Sequence, residues 1–518
     1  MTVPASSAAS LPNGHSSSSV SSHAPTKHIP GFSTQSVHLA TSPHSSNPAA
    51  RNSSGGVSTP LDLSTTFYQP AVGQLVGGFE YARSGNPTRL ALERVLAGLE
   101  GARVEGEGEG EGEGEGGEEE GGLPAALAFA SGSAATATVV QALVGNGGHI
   151  VSVGDVYGGS SRYMLKVAGP LQGAETTFVD LSFSVHLEDV DEADEQGTRR
   201  RQDEAIVERL EGAVRAETKV IWIETPTNPM LNLVPIKLVA DFAKSRGIAL
   251  VVDNTFASPF FQQPLSLGAT AVIGSSTKYL SGHSDVVGGY IATSDPVLLD
   301  KLRFLQNAHG AIASPFDSLL LIRSLKTLPL RMKQHSLNAL AVARFLESDP
   351  RVRDVRYPGL RRRDERAAQK RERQLAWEQL TPTARRWLSS SPLEYSVETE
   401  GGFPSGGMVS FHIRSGAPRS QTETGTAERF LEALRVFTLA ESLGGVESLA
   451  ELPIKMTHGG VDPTRRAELG IDGELVRLSV GIEDVEDLLA DLDQALEKAV
   501  GPAGRQNGKV NGVANGKE

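Results

Sequence analysis

The chain has 518 residues, 39% of them hydrophobic, no cysteine and a formal net charge of −13. That length admits more than one domain, and the lack of cysteine excludes disulfides, thiolate metal sites and a cysteine nucleophile while agreeing with a reducing compartment. No run approaches eighteen apolar residues, so no membrane span is expected, and without a basic stripe nucleic-acid binding finds no support.

Taken in chain order, residues 1–29 are rich in Ser, Pro, Ala and His and bury too little apolar area to order themselves. They carry no secretory core, and the first arginine is Arg51, so a disordered cytosolic tail is expected rather than a targeting peptide. "RLALERVLAGLEGAR" predicts a helix started by Asn86–Pro87. The Gly/Glu repeat 105–122 follows, and its like charges predict a solvated loop. It holds nine of the acids, so the rest of the chain is only mildly acidic.

Beyond the loop, short apolar runs alternate with helical ones. "ALAFAS", "GGHIVSVG", "ETTFVDL", "KVIWIET", "IALVVDNT", "TAVIGSS" and "GGYIATS" have strand length and little period-two alternation, which predicts burial on both faces. "SAATATVVQALVG", "DEAIVERLEGAVR" and "PIKLVADFAKSRG" predict helices between them. The alternation points to an α/β fold with a mainly parallel sheet. Polar stretches at 187–205 and 361–405 interrupt the pattern, and the arginine-rich start of the second predicts one face of a solvated helix. Residues 306–500 mix longer helices with "GMVSFHI" and "ELVRLSVGIE", as a smaller α/β domain would, and 501–518 predict a flexible tail.

Ligands of parallel sheets collect at the carboxyl ends of strands. Here those ends carry Ser131, Gly132 and Ser133, then Tyr157, Asn228, Asp253, and finally Ser275, Thr277 and Lys278. Singly, each has a plainer reading: a helix cap, a turn aromatic, a turn acid, a surface lysine. Together they suit pyridoxal phosphate, whose aldehyde takes a lysine amine and whose ring nitrogen needs a carboxylate. Its flat ring needs a stacking partner, and its phosphate needs N–H groups and hydroxyls at a helix N-terminus. No metal site is expected.

The stretches "FEYARSGNPTR", "FASGSAAT", "GDVYGGSSRYM", "ETPTNPML", "VDNTFASP", "SSTKYLSGHSDVVGG", "LAESLGGVESLAELP" and "RLSVGIED" resemble the Cys/Met-metabolism family of pyridoxal-phosphate enzymes. The resemblance covers roughly residues 30–360 and 406–500. It implies a fold of the PLP-dependent transferase type (fold type I), with a seven-stranded, mainly parallel sheet in a large domain at 91–305. It also implies an N-terminal arm at 30–90 and a small C-terminal domain at 306–500.

The same resemblance implies residue roles. Lys278 holds the cofactor and moves protons, Asp253 pairs with the ring nitrogen and Tyr157 stacks on the ring. Ser131, Gly132, Ser133, Ser275 and Thr277 form the phosphate cup, and Tyr81 and Arg83 reach the cup of a neighbouring subunit. Arg477, Asn228 and Ser442 take the substrate carboxylate, with Glu441 and Arg162 toward its far end. The implied assembly is a cytoplasmic homotetramer, a dimer of dimers.

The reaction implied is γ-elimination of L-cystathionine to L-cysteine, 2-oxobutanoate and ammonia. The family also holds synthases that build cystathionine, β-lyases, methionine γ-lyases and homoserine sulfhydrylases. Glu441 and its surroundings favour cystathionine, and the missing cysteine counts against methionine. A catalytically idle scaffold is the alternative of another class, opposed by the intact Lys278, Asp253, Tyr157 and Arg477.

Overall fold

A computed structural model of the chain describes residues 31–40, 56–103, 123–183, 195–415 and 425–502. The expected N-terminal tail, the Gly/Glu loop and nearly all of the C-terminal tail lie outside the described residues.

Two sheets organise the molecule. The first has seven strands: β1 (Ala126–Phe129), β2 (His149–Val153), β3 (Glu175–Val179), β4 (Thr218–Glu224), β5 (Ala249–Asp253), β6 (Ala271–Gly274) and β7 (Gly289–Ala292). Their order is β1-β7-β6-β5-β4-β2-β3. All neighbours are parallel except β7, which runs antiparallel to both β1 and β6. The sequence placed all seven strands. Burial on both faces holds for β1, β2, β6 and β7, while β3, at the opposite edge from β1, is half-exposed.

The second sheet orders β8 (Val352–Arg356), β9 (Met408–Ile413), β10 (Thr438–Leu439), β11 (Leu449–Glu451) and β12 (Leu475–Ser479) as β10-β11-β12-β9-β8. One apolar cluster runs from the first sheet through the helix Leu328–Ser348 into the second. Among the described residues no helix is long and apolar enough to cross a membrane.

Helix starts follow local chemistry. Asn86 caps Pro87–Glu100 by accepting from the N–H groups of Thr88 and Arg89, with proline at the first turn. Ser131 caps Gly132–Val144 by accepting from Ala134 N–H at 3.1 Å.

Two polar stretches differ from expectation. Residues 195–205 belong to the helix Glu195–Ala213, while 184–194 lie outside the described residues. The segment 361–405 is not a solvated face: it forms the helices Ala367–Glu378 and Pro382–Ser389 and buries Arg371 and Arg373. Arg373 is 1% exposed, with Nε and Nη2 on the two oxygens of Glu365 at 2.9 and 2.7 Å and Nη1 on the Val397 carbonyl. Charge composition concealed this because each buried guanidinium has its own acceptor. The segment packs on the first sheet's helices through Gln379, which accepts from Ile236 N–H and donates to Gln262. Thr381 N–H also donates to the Phe261 carbonyl.

Candidate active site

A cavity of about 290 Å3 opens at the carboxyl ends of β4, β5 and β6 and is closed by loops of the second sheet. Its volume sits near the lower end of the range for small-molecule sites, about 300–1,000 Å3. Ser131, Gly132 and Ser133 line it, as do Tyr157, Asn228 and Asp253. Ser275, Thr277 and Lys278 join them from the turn after β6, and Glu441, Ser442 and Arg477 from the second sheet and its loops.

Asp253 ends β5, where its Oδ1 accepts from Thr255 N–H at 3.0 Å and from Thr255 Oγ1 at 2.6 Å. Burial raises its pKa. Lys278 follows two residues of turn after Ser275, and its Nζ donates to Ser442 Oγ at 2.8 Å. Burial first, then the nearby Arg477 charge, lower the Lys278 pKa to about 8. The amine is therefore a usable base near neutral pH.

The two hydroxyl turns abut. A methyl group at Gly132 would meet Ser275 Cβ at 3.1 Å, so the helix N-terminus and the Ser275 turn share one concave wall. Thr277 Oγ1 donates to the Gly288 carbonyl and accepts from its N–H, which fixes that wall.

Arg477, 2% exposed on β12, is held from three sides. Nη1 donates to Asn228 Oδ1 at 2.8 Å and pairs with Glu451 at 3.0 Å, and Nη2 donates to the Ser442 carbonyl at 2.8 Å. Its buried Nε has no partner among the described residues, an unpaired donor of the sort a carboxylate satisfies.

Three expected residues lie elsewhere. Arg162 is exposed on the short helix Gly158–Tyr163 and does not line the cavity. Tyr81 and Arg83 sit on the arm, with Arg83 Nε on Asn307 Oδ1 at 3.0 Å and its guanidinium 5.4 Å above the Tyr81 ring. Neither reaches the cavity of its own chain.

Sequence reasoning missed Glu224, Thr255, Thr457 and Glu451. The first three line the cavity, and Glu451 stands behind Arg477. Glu224 carried the same signal as Asp253, a carboxylate closing a buried strand. A separate depression of about 530 Å3 runs along the helix Glu195–Ala213, between charged side chains such as Arg199 and Glu208, with none of the expected residues.

The arrangement fits pyridoxal phosphate. It offers one depressed amine, the Asp253 carboxyl at a strand end, an aromatic ring, and a thirteen-residue helix whose N-terminus is lined by hydroxyls.

A model of the Cys/Met metabolism PLP-dependent enzymes matches residues 39–106, 118–377 and 389–497. The chain belongs to that family. A cystathionine gamma-lyase of Dictyostelium discoideum is 42% identical over 455 residues, covering 88% of this chain and 96% of that enzyme. Among solved structures, cystathionine gamma-lyase from yeast is 38% identical with a TM-score of 0.71, covering 92% of this chain and 99% of that one. The metB protein of Corynebacterium glutamicum is 39% identical with a TM-score of 0.71, covering 90% and 98%. The family's cofactor dependence agrees with the lysine, acid and hydroxyl turns that meet in the cavity.

Proposed function

We propose that this chain cleaves L-cystathionine by γ-elimination, taking up water and releasing L-cysteine, 2-oxobutanoate and ammonia. One observation carries the reading: Lys278, Asp253, Tyr157 and Arg477 line a single cavity. The identity to curated γ-lyases over nearly the whole chain supports it.

Pyridoxal phosphate, when bound, supplies an electron sink that accepts the electron pair left at the substrate Cα. Lys278 would hold it, Asp253 would keep its ring nitrogen protonated, and Tyr157 would cover its face. The hydroxyls of Ser131, Ser133, Ser275 and Thr277 and the helix N-terminus at Gly132 would hold its phosphate. Arg477 and Asn228 fix the substrate α-carboxylate, which orients the Cα–H bond toward the base. Lys278 Nζ takes the Cα proton, helped by its lowered pKa. Once that proton is passed on, the Lys278 amine takes a second from Cβ and gives it to the departing sulfur as the Cγ–S bond breaks, within the cavity that Glu441 also lines.

We also infer a cytoplasmic homotetramer, a dimer of dimers. The arm at 30–90 supports it by exposing Leu63, Tyr68 and Val72 at 64%, 77% and 104%, more apolar surface than a free arm would keep in water. Tyr81 and Arg83 then complete a neighbour's phosphate site. The large domain at 91–305 carries the cofactor and Asn228, and the small one at 306–500 the Arg477 side of the carboxylate clamp.

A substrate panel tests the reading. L-cystathionine should give cysteine and 2-oxobutanoate. Pyruvate with homocysteine would mean β-elimination, and turnover only with an activated homoserine plus cysteine would mean a synthase. Lys278→Ala should lose both turnover and the visible band of the cofactor. A visible band absent from wild-type protein given pyridoxal phosphate would favour an idle scaffold.

A further inference from the structure

Glu224 closes β4 and lies opposite Asp253 in the parallel register. It is 4% exposed, and its two oxygens serve two different loops. Oε2 accepts from Tyr157 N–H at 2.9 Å, in the loop after β2. Oε1 accepts from Asn228 N–H at 3.1 Å, in the loop after β4. Asn228 is gripped from its other side by Arg477 at 2.8 Å. One buried carboxylate thus joins the aromatic wall of the cavity to its carboxylate clamp.

Its electrostatics point the same way. Burial, and after it the neighbouring Asp253, push the Glu224 pKa up. A carboxyl that keeps its proton there is free of charge repulsion and stays in place between the two loops.

We propose that Glu224 is a positioning residue of this site, holding the Tyr157 and Asn228 loops in one register. The proposal rests on the pyridoxal-phosphate reading.

The test compares Glu224→Gln with wild type and with a control, Asp491→Asn. Asp491 is a buried acid that likewise accepts from backbone N–H groups, of Arg435, Val436 and Phe437, but lies away from the cavity. Glutamine keeps one acceptor oxygen and turns an NH2 toward the other loop, so one loop is released. Glu224→Gln should weaken pyridoxal-phosphate binding to the apo-protein about tenfold or more, as expected for a lost hydrogen bond to a charged group. Its visible circular dichroism should shrink, because the ring is held less rigidly. The control should lower Tm and leave both readouts at wild-type values.

If Glu224→Gln behaves like the control, with only Tm lowered, the proposal is overturned. If wild-type protein binds no pyridoxal phosphate, the reading of the cavity fails first, and that outcome is separate. Hydrogen exchange on wild-type protein covers the case of a variant that does not fold. Peptides spanning 154–160 and 225–231 should both slow when pyridoxal phosphate is added. Exchange of either that ignores the cofactor would overturn the proposal.

Discussion

Lys278 Nζ donates a 2.8 Å hydrogen bond to Ser442 Oγ, joining the turn after β6 to a loop of the second sheet. Ser442 pays for this position with a left-handed backbone, φ 101°. The next turn is equally constrained: a methyl group at Gly444, φ 79°, would meet Tyr279 N at 2.5 Å. The constrained loop therefore presents the Ser442 hydroxyl to the amine from a fixed position.

The pH profile follows from this contact. The base must be neutral to take a proton, so kcat should rise with pH through a pKa near about 8. The hydrogen bond favours the charged amine. Ser442→Ala should therefore lower the Lys278 pKa and move the acid limb of kcat down by about half a unit to one unit. A limb that stays in place, or moves up, refutes the contact's role.

Glu451 neutralises Arg477 in a pair that is almost fully buried, at 1% and 2% side-chain exposure. Glu451→Gln leaves a buried guanidinium short of its counter-charge, a change that costs about 3–5 kcal/mol in such sites. Glu451 also raises the Lys278 pKa, so its loss should shift the acid limb of kcat to lower pH. Urea denaturation and a pH profile on one sample separate this variant from Ser442→Ala, which should lose far less stability.

Glu100 should make the fold pH-sensitive. It is buried against Tyr290, whose hydroxyl donates to it, and burial raises its pKa from 4.5 to about 7. The folded chain therefore binds the proton more tightly than the unfolded chain does. Stability falls as pH rises from about 4.5 through 7, by up to about 3 kcal/mol from this group. Glu100→Gln should flatten Tm against pH over that window, as calorimetry would record.

The 361–405 segment should respond to substitution as core. Arg373→Ala strands Glu365 and should cost about 3–5 kcal/mol in a urea titration. Lys237→Ala breaks an exposed pair with Asp241 and should cost less than about 0.5 kcal/mol. Equal losses would mean that the segment is not integral to the fold.

Shared sites predict complementation. Arg83→Ala and Lys278→Ala proteins should each be inactive alone, and unfolding and refolding them together should restore partial turnover. No recovery in mixed oligomers would place Arg83 outside the neighbour's site.

The sequence by itself determined the seven strands of the first sheet, the helix caps at Asn86 and Ser131, and which strand ends carry polar chemistry. Those features rest on local periodicity and on hydrogen bonds between near neighbours. It also exposed Lys278 and Asp253 as partners, since one ends and the other follows neighbouring strands of the first sheet. Tertiary structure alone decided that Arg373 is buried, because Glu365 and the Val397 carbonyl close on it only when the 361–405 segment folds against the core. It alone placed Glu451 behind Arg477 and put Glu224 across two loops. Whether a buried charge is satisfied depends on groups brought together by folding, and one-dimensional spacing holds no record of them.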